Sequence, residues 1–210
     1  MQDVDQDKAA AREILCRLLA ACYYEPGPEF KEEKVFASII DVAGRLHPDL
    51  AARAQRMGEA YFAEDAESLL IDHTRLFLGP NDIVAKPYAS VWLGGEDGLM
   101  QDSTMAVQEL YAEGGFEVDE NFRELPDHVA VELEFFYLLI YDENAARRNG
   151  DAAALAGVLD LRKRFLDAHL GRWIGPFTVA VATGAQSNFY RELAGITDRF
   201  VKMEMDVTGG

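Results

Sequence analysis

An all-α fold follows from three features of the sequence. Apolar residues recur at helical spacing through most of the chain, strand-type alternation is nowhere sustained, and the breaks between periodic runs fall at Pro and Gly clusters. At 210 residues the chain can bury a substantial core without disulfide or metal staples. We therefore expect a compact, single-domain helical bundle of about ten helices over residues 1–210, with one long central loop.

Asp7 to Tyr24 places Ala11, Ile14, Leu15, Leu18, Leu19 and Cys22 at helical spacing, and Pro26-Gly27-Pro28 ends the run. A second helix fits Glu29 to Leu46, on Phe30, Val35, Ile39 and Val42, and stops ahead of Pro48. A third fits Asp49 to Phe62 and a fourth Ala66 to Leu78, stopped by Gly79-Pro80. Residues 79–101 lose the periodicity, yet carry Tyr88, Val91 and Trp92 among their glycines and prolines, which predicts a long ordered loop. Helix resumes from Asp102 to Glu113 and stops at Gly114-Gly115. The most apolar helix runs from about Pro126 to Arg148. Val129, Leu133, Phe136 and Ile140 mark one apolar stripe on it, and Val131, Phe135 and Leu138 a second, the pattern of a central core helix. Helices are then expected over Asp151 to Trp173, after Pro176, and over Ser187 to Met205, with a frayed tail at 206–210.

Charge and cysteine usage narrow the function. Lys and Arg number 20 against 37 Asp and Glu, a net charge of −17, which disfavours nucleic acid and anionic membrane surfaces and favours a basic partner. Cys16 and Cys22 face different sides of one helix and read as buried small hydrophobes in a reducing compartment. The acidic front (Asp3, Asp5, Asp7) and the charges at Arg12, Glu13 and Arg17 are unlike an export signal, and Val129 to Tyr141 is too short to span a bilayer, so a cytoplasmic protein is expected.

Motifs for dinucleotides, phosphate loops, zinc proteases and nucleophile elbows are missing. Asp72-His73 and Asp127-His128 keep one enzymatic alternative open, a metal-dependent all-α phosphohydrolase using Asp and His residues. His128 and Glu132 share a helix face, but two ligands do not make a site. His73 and His169 read as core-edge residues with satisfied ring nitrogens.

Three segments stand out. Glu124-Leu125-Pro126-Asp127-His128 is a helix start, with Pro at the first position and Asp facing the positive helix end. That reading leaves the His unexplained, and a rigid corner ahead of a core helix is equally what a binding site needs. Leu76-Phe77-Leu78-Gly79-Pro80, continuing to Pro87-Tyr88-Ala89-Ser90-Val91-Trp92, is either a loop pinned by its aromatics or the wall of a peptide groove. In the third segment Phe165, Leu166, His169 and Trp173 recur at helical spacing and read as core packing.

Taken in order, these segments resemble the TorD/DmsD/NarJ-type redox enzyme maturation chaperones. Glu124–His128 is similar to the family's E-P-x-D-H motif, with Leu125 where Pro is commoner and Pro126 one place later, so the stricter alignment is on Pro126-Asp127-His128. The runs at Leu76–Pro80 and Pro87–Val91 resemble its L-F-x-G-P and P-aromatic-x-S-V segments. Asp102-Ser103-Thr104 is similar to its G-D-S-T stretch, with Gln101 in place of Gly, and Phe165–Trp173 to its F-L-x-x-H-L-x-x-W helix. The resemblance spans residues 10 to 200.

It implies a chaperone without catalysis, metal or cofactor. Such a protein binds the twin-arginine signal peptide, and the apo-form, of a molybdenum-containing oxidoreductase subunit in the cytoplasm until the cofactor is inserted. Carried onto matching positions, the peptide site comprises Leu76, Gly79, Pro80, Tyr88, Trp92, Pro126, Asp127 and His128. The chemistry fits that expectation. An acidic protein attracts a basic leader, Asp127 is expected to accept a guanidinium hydrogen bond with Glu124 or Glu132 as similar acceptors, and Tyr88 and Trp92 can stack on arginine. The expected oligomeric state is a monomer or a homodimer that exchanges helices about a hinge in 79–101 or 114–125.

Overall fold

The computed structural model describes residues 2–27, 30, 34–79, 83–94, 102–118 and 124–208, with side chains for 6–207 of these. Pro80, Gln101, the tail at 209–210 and the parts 80–82, 95–101 and 119–123 of the expected hinges lie outside the described residues.

Ten α-helices occur among the described residues: α1 Gln2–Ala21, α2 Val35–Leu46, α3 Pro48–Ala63, α4 Ala66–His73, α5 Ala89–Leu93, α6 Asp102–Glu113, α7 Val129–Asn149, α8 Ala152–Ala168, α9 Leu170–Gly184 and α10 Asn188–Thr208. No strand is present among them, only an isolated antiparallel bridge between Tyr88 and His128. The fold is all-α. None of these helices is long and apolar enough to cross a membrane.

Helix α7 lies inside the bundle, packed against α1 and α8, while α10 packs on α3 and α9. Its buried residues include Val129, Leu133, Phe135, Phe136 and Ile140 from both expected apolar stripes. Together with Leu15, Phe36, Phe165, Trp173, Phe189 and Phe200 they belong to a core whose buried members run from Ala11 to Val201. Cys16 and Cys22 are buried free thiols within it.

Several boundaries have local causes. His47 caps α3, its Nδ1 accepting from Asp49 N–H at 3.0 Å with Pro48 following. Asp65 caps α4 and Asp151 caps α8 in the same way. Gly150, at φ 66°, ends α7 in the left-handed conformation that a glycine adopts without strain.

Four expectations are corrected. The fourth helix does not stay α-helical to Leu78. It passes at Thr74–Leu78 into a wider π-type turn, which lets the consecutive Leu76 and Phe77 both turn inward. The loop at 79–101 contains a short helix, α5. The long run from Asp151 breaks at His169, not at Trp173, and Pro176 sits inside α9 on an exposed face. The break at His169 depends on a close approach, since a Cβ at Gly171 would collide with the Leu166 carbonyl. Finally, α10 continues to Thr208, into the stretch expected to fray.

One interior feature had no forecast. Arg162 of α8, 0% exposed, donates to Glu143 Oε2 of α7 at 2.7 Å and to Glu204 Oε2 of α10 at 2.9 Å. Arg12 of α1 joins both carboxylates, with Nε to Glu204 Oε1 at 2.8 Å and NH2 to Glu143 Oε2 at 3.2 Å. Burial works against ionisation of Glu143, but Arg12 and Arg162 outweigh it and hold the carboxyl below its usual range. Four helices are thereby tied through two carboxylates.

Candidate functional site

The site is built where the segment at 83–94 meets the start of α7. Ala85 N–H donates to the Leu76 carbonyl at 3.0 Å, which ties this segment to the π-type turn. Two residues on, Val129 N–H donates to the Pro87 carbonyl at 2.8 Å, and Ala89 N–H to the Asp127 carbonyl at 2.9 Å. These two bonds make the Tyr88–His128 bridge. Ser90 N–H then donates to Asp127 Oδ2 at 2.9 Å. The three motif segments expected to form one site are therefore joined through backbone hydrogen bonds.

The α7 side of the corner is braced from below. Tyr111 OH of α6 donates to the Pro126 carbonyl at 2.8 Å. His128 caps α7, its Nδ1 accepting from Ala130 N–H at 3.2 Å, so the histidine that the helix-start reading left unexplained has a capping role. The ring is 4% exposed and lies between two tyrosines. It stacks parallel to Tyr24 at 6.2 Å and stands edge-on to Tyr88 at 5.4 Å. Burial pushes its pKa down to about 4, so the ring is neutral at physiological pH.

The expected residues divide into an inside and a rim. Asp127 and Glu132 are 0% exposed and Leu76 is equally closed off. Glu132 Oε2 accepts from Trp173 Nε1 at 2.9 Å, and burial pushes its pKa well up. In this conformation neither carboxylate offers an oxygen to an external guanidinium, which revises the expectation of direct contact. Gly79, Tyr88, Trp92, Glu124 and Pro126 are half-buried and form the rim. Tyr88 OH donates to Glu124 Oε2 at 2.8 Å, and Trp92 Nε1 donates to the Lys86 carbonyl at 2.8 Å. Pro80 lies outside the described residues.

Two rim residues escaped the sequence reading. Tyr24, after α1, donates through its OH to Glu134 Oε1 of α7 at 2.8 Å. The available signal was an acidic residue flanked by Leu133 and Phe135 in the most apolar helix, a place where a charge needs a reason.

The Asp-His pairs do not converge on a metal. Asp72 accepts from Gln186 N–H at 3.0 Å and Ser187 N–H at 2.8 Å in the turn ahead of α10, while Asp127 is held by Ser90. Among the described residues no group of three or more His, Cys, Asp and Glu side chains is placed to hold a metal ion. His73 and His169 are buried in the core and not at its edge, and each keeps Nδ1 without a partner, contrary to the expected satisfied rings. Phe165, Leu166 and Trp173 pack in the core as expected.

Comparison with known proteins agrees with this architecture. The family model described as nitrate reductase delta subunit matches residues 44–179, which contain every site residue above except Tyr24. The chaperone protein TorD of Vibrio parahaemolyticus is 28% identical over 161 residues, covering 76% of this chain and 73% of that protein. TorD of Shewanella oneidensis is 30% identical over 142 residues, covering 65% and 58%. A crystal structure described as a candidate redox enzyme maturation protein from Archaeoglobus fulgidus shares the fold, with a TM-score of 0.54 at 22% identity over 91% of this chain and 93% of that one. A family match over more than half the chain, on top of motif segments that meet in space, places the protein in the nitrate reductase delta subunit family, among the TorD/NarJ-type redox enzyme maturation chaperones.

Proposed function

We propose that the protein binds the twin-arginine signal peptide of a molybdenum-containing oxidoreductase subunit, together with its apo-form. It acts in the cytoplasm, holds its client back from export until the cofactor is inserted, and catalyses no step of its own. The observation that carries this reading is the braced corner, where the Leu76–Gly79, Pro87–Ser90 and Pro126–His128 segments are bonded together and leave aromatic and acidic side chains on the open side.

A twin-arginine leader is a basic front followed by an apolar run. Its guanidinium groups are planar donors that bond a carboxylate and stack on an aromatic face at once. Tyr88, Trp92, Glu124, Pro126 and Gly79, with Pro80 from the motif, make the peptide contacts in this reading. Leu76, Asp127, His128 and Glu132 position them, Asp127 acting through Ser90. The net charge of −17 speeds encounter with a basic segment.

The test is calorimetric titration with a twin-arginine leader from a neighbouring oxidoreductase gene, beside the same peptide with both arginines changed to lysine. Binding that weakens by about tenfold or more on the change is expected, because lysine lacks the planar fork. Equal binding of both peptides would leave a chaperone of apolar segments, and binding of neither would sink the proposal.

A further inference from the structure

Resting on the signal-peptide reading, the geometry points to a finer assignment. We propose that the two arginines are received separately, by two tyrosine–carboxylate pairs on either side of His128: Tyr88 with Glu124, and Tyr24 with Glu134.

Adjacent side chains of an extended peptide leave it on opposite sides. An arginine doublet therefore needs two receptors set apart, not one acidic pocket. The rim has two of the same composition. Tyr88 OH donates to Glu124 Oε2 and Tyr24 OH to Glu134 Oε1, each at 2.8 Å. In each pair the phenol occupies one carboxylate oxygen, while Glu124 Oε1 and Glu134 Oε2 accept no hydrogen bond among the described residues. No Lys, Arg or His forms a salt bridge with either carboxylate there, although most acidic residues in the bundle interior have such a partner.

All four side chains are half-buried, so they are reachable and partly dehydrated. A charge-assisted bond gains strength in such surroundings. Glu134 is held up in pKa by its burial, the condition of a carboxylate that has lost water without gaining a cation. The spacer between the pairs is the His128 ring, whose parallel face toward Tyr24 and edge contact with Tyr88 fix both phenols. Behind it Asp127 Oδ1 is buried and unpartnered, and Glu25, next to Tyr24, is exposed and adds negative charge. Glu132 and Trp92 are poorer receptors. The first is shut inside against Trp173, and the second, whose indole N–H is a donor like those of the guanidinium, offers only its ring face.

The experiment titrates the full chain and its Glu124→Gln, Glu134→Gln and Tyr24→Phe variants with four leader peptides, carrying Arg-Arg, Arg-Lys, Lys-Arg or Lys-Lys at the doublet. Each Gln variant is expected to lose about tenfold in affinity for Arg-Arg, the scale of one bond to a charged group. Each also becomes indifferent to lysine at one position, and the positions differ between the two variants. Tyr24→Phe, which removes one oxygen and no charge, shares the position of Glu134→Gln with a smaller loss.

If the unaltered chain prefers Arg-Arg but Glu134→Gln ranks the peptides as it does, the assignment falls and the signal-peptide reading stands. Loss at the same position in both Gln variants, or a uniform loss against all four peptides, overturns it equally. A chain that binds none of the peptides overturns both.

Discussion

Two acidic residues of α7, Glu132 and Glu143, stand about three helical turns apart, and both are buried, at 0% and 2% exposure. Their surroundings differ. Glu143 is met by three arginines, Arg12, Arg147 and Arg162, and stays ionised. Glu132 meets an indole N–H and is driven toward its neutral form by burial. The Glu143 cluster spends nearly all its polar atoms on protein partners, leaving Arg162 Nε and Asn144 Oδ1 over. Around the corner Ser90 Oγ, Thr104 Oγ1, Asp127 Oδ1, Glu132 Oε1 and His169 Nδ1 are all buried and unpartnered. A folded chain tolerates unspent polar atoms only at a cost. The two regions therefore differ in how completely their buried polar atoms are spent within the chain.

Removing the cation shared between helices should cost the bundle most. Arg162→Met strips Glu143 and Glu204 of their best-buried partner. It should cost about 3–5 kcal/mol, the scale for leaving buried carboxylates partly uncompensated, read as a lower urea midpoint. A loss under about 1 kcal/mol would show that Arg12 and Arg147 suffice and that the network is not what ties the helices together.

His128 and His169 are both lowered by burial from the ordinary 6.5 to about 4. Between those values the unfolded chain binds protons at these two histidines that the folded chain refuses, so their contribution to stability falls as pH drops from 6.5 towards 4, while Glu132, raised by burial, works in the opposite direction. Glu143, held below its usual range, gives up its contribution only on further acidification through its folded pKa. Acid should loosen the corner before it loosens the ionic network. Amide hydrogen exchange at pH 7 and pH 5 would read this as earlier loss of protection at the start of α7 than near Glu143. His128→Asn, which keeps a capping side chain, should flatten the pH slope; an unchanged slope would remove His128 from the account.

Much of the frame was legible because local signals agreed with tertiary ones. Helix α6 was bounded by Asp102 and Gly114-Gly115, and α7 by the Pro126 corner and Asn149-Gly150, and both stand where those signals put them to within a few residues. The break at His169 was not legible. No turn residue marks it, and it depends on Gly171 slipping past a carbonyl in the preceding helix. Pro126, Asp127 and His128 were visible as a motif, as was Ser90 in another. That Asp127 turns inward onto Ser90 N–H was not, because a pairing across 37 residues is set by how two segments register. Tyr24 and Glu134 were missed for the same reason, at a separation of 110 residues. Arg162 carries no local signal of its role, and only the meeting of four helices buries it.

The smallest effect is also the most diagnostic of the contrast within α7. A carboxyl whose folded pKa is raised binds a proton that the unfolded chain has released. Glu132 therefore costs stability increasingly as pH rises above the ordinary carboxylate range. Glutamine keeps an oxygen for Trp173 Nε1 and never ionises, so Glu132→Gln should match or exceed the unaltered chain at pH 7, by no more than about 1 kcal/mol. Its advantage should vanish on acidification, when both chains carry a neutral group. Glu143→Gln should behave oppositely, destabilising at pH 7 because it discharges an acceptor that three guanidinium groups need. Equal losses in the two variants would mean that Glu132 is ionised beside Trp173. The corner would then hold a buried negative charge at Glu132 with no cation of the described bundle against it, and a guanidinium admitted from outside would become the natural partner for the interior as well as for the rim.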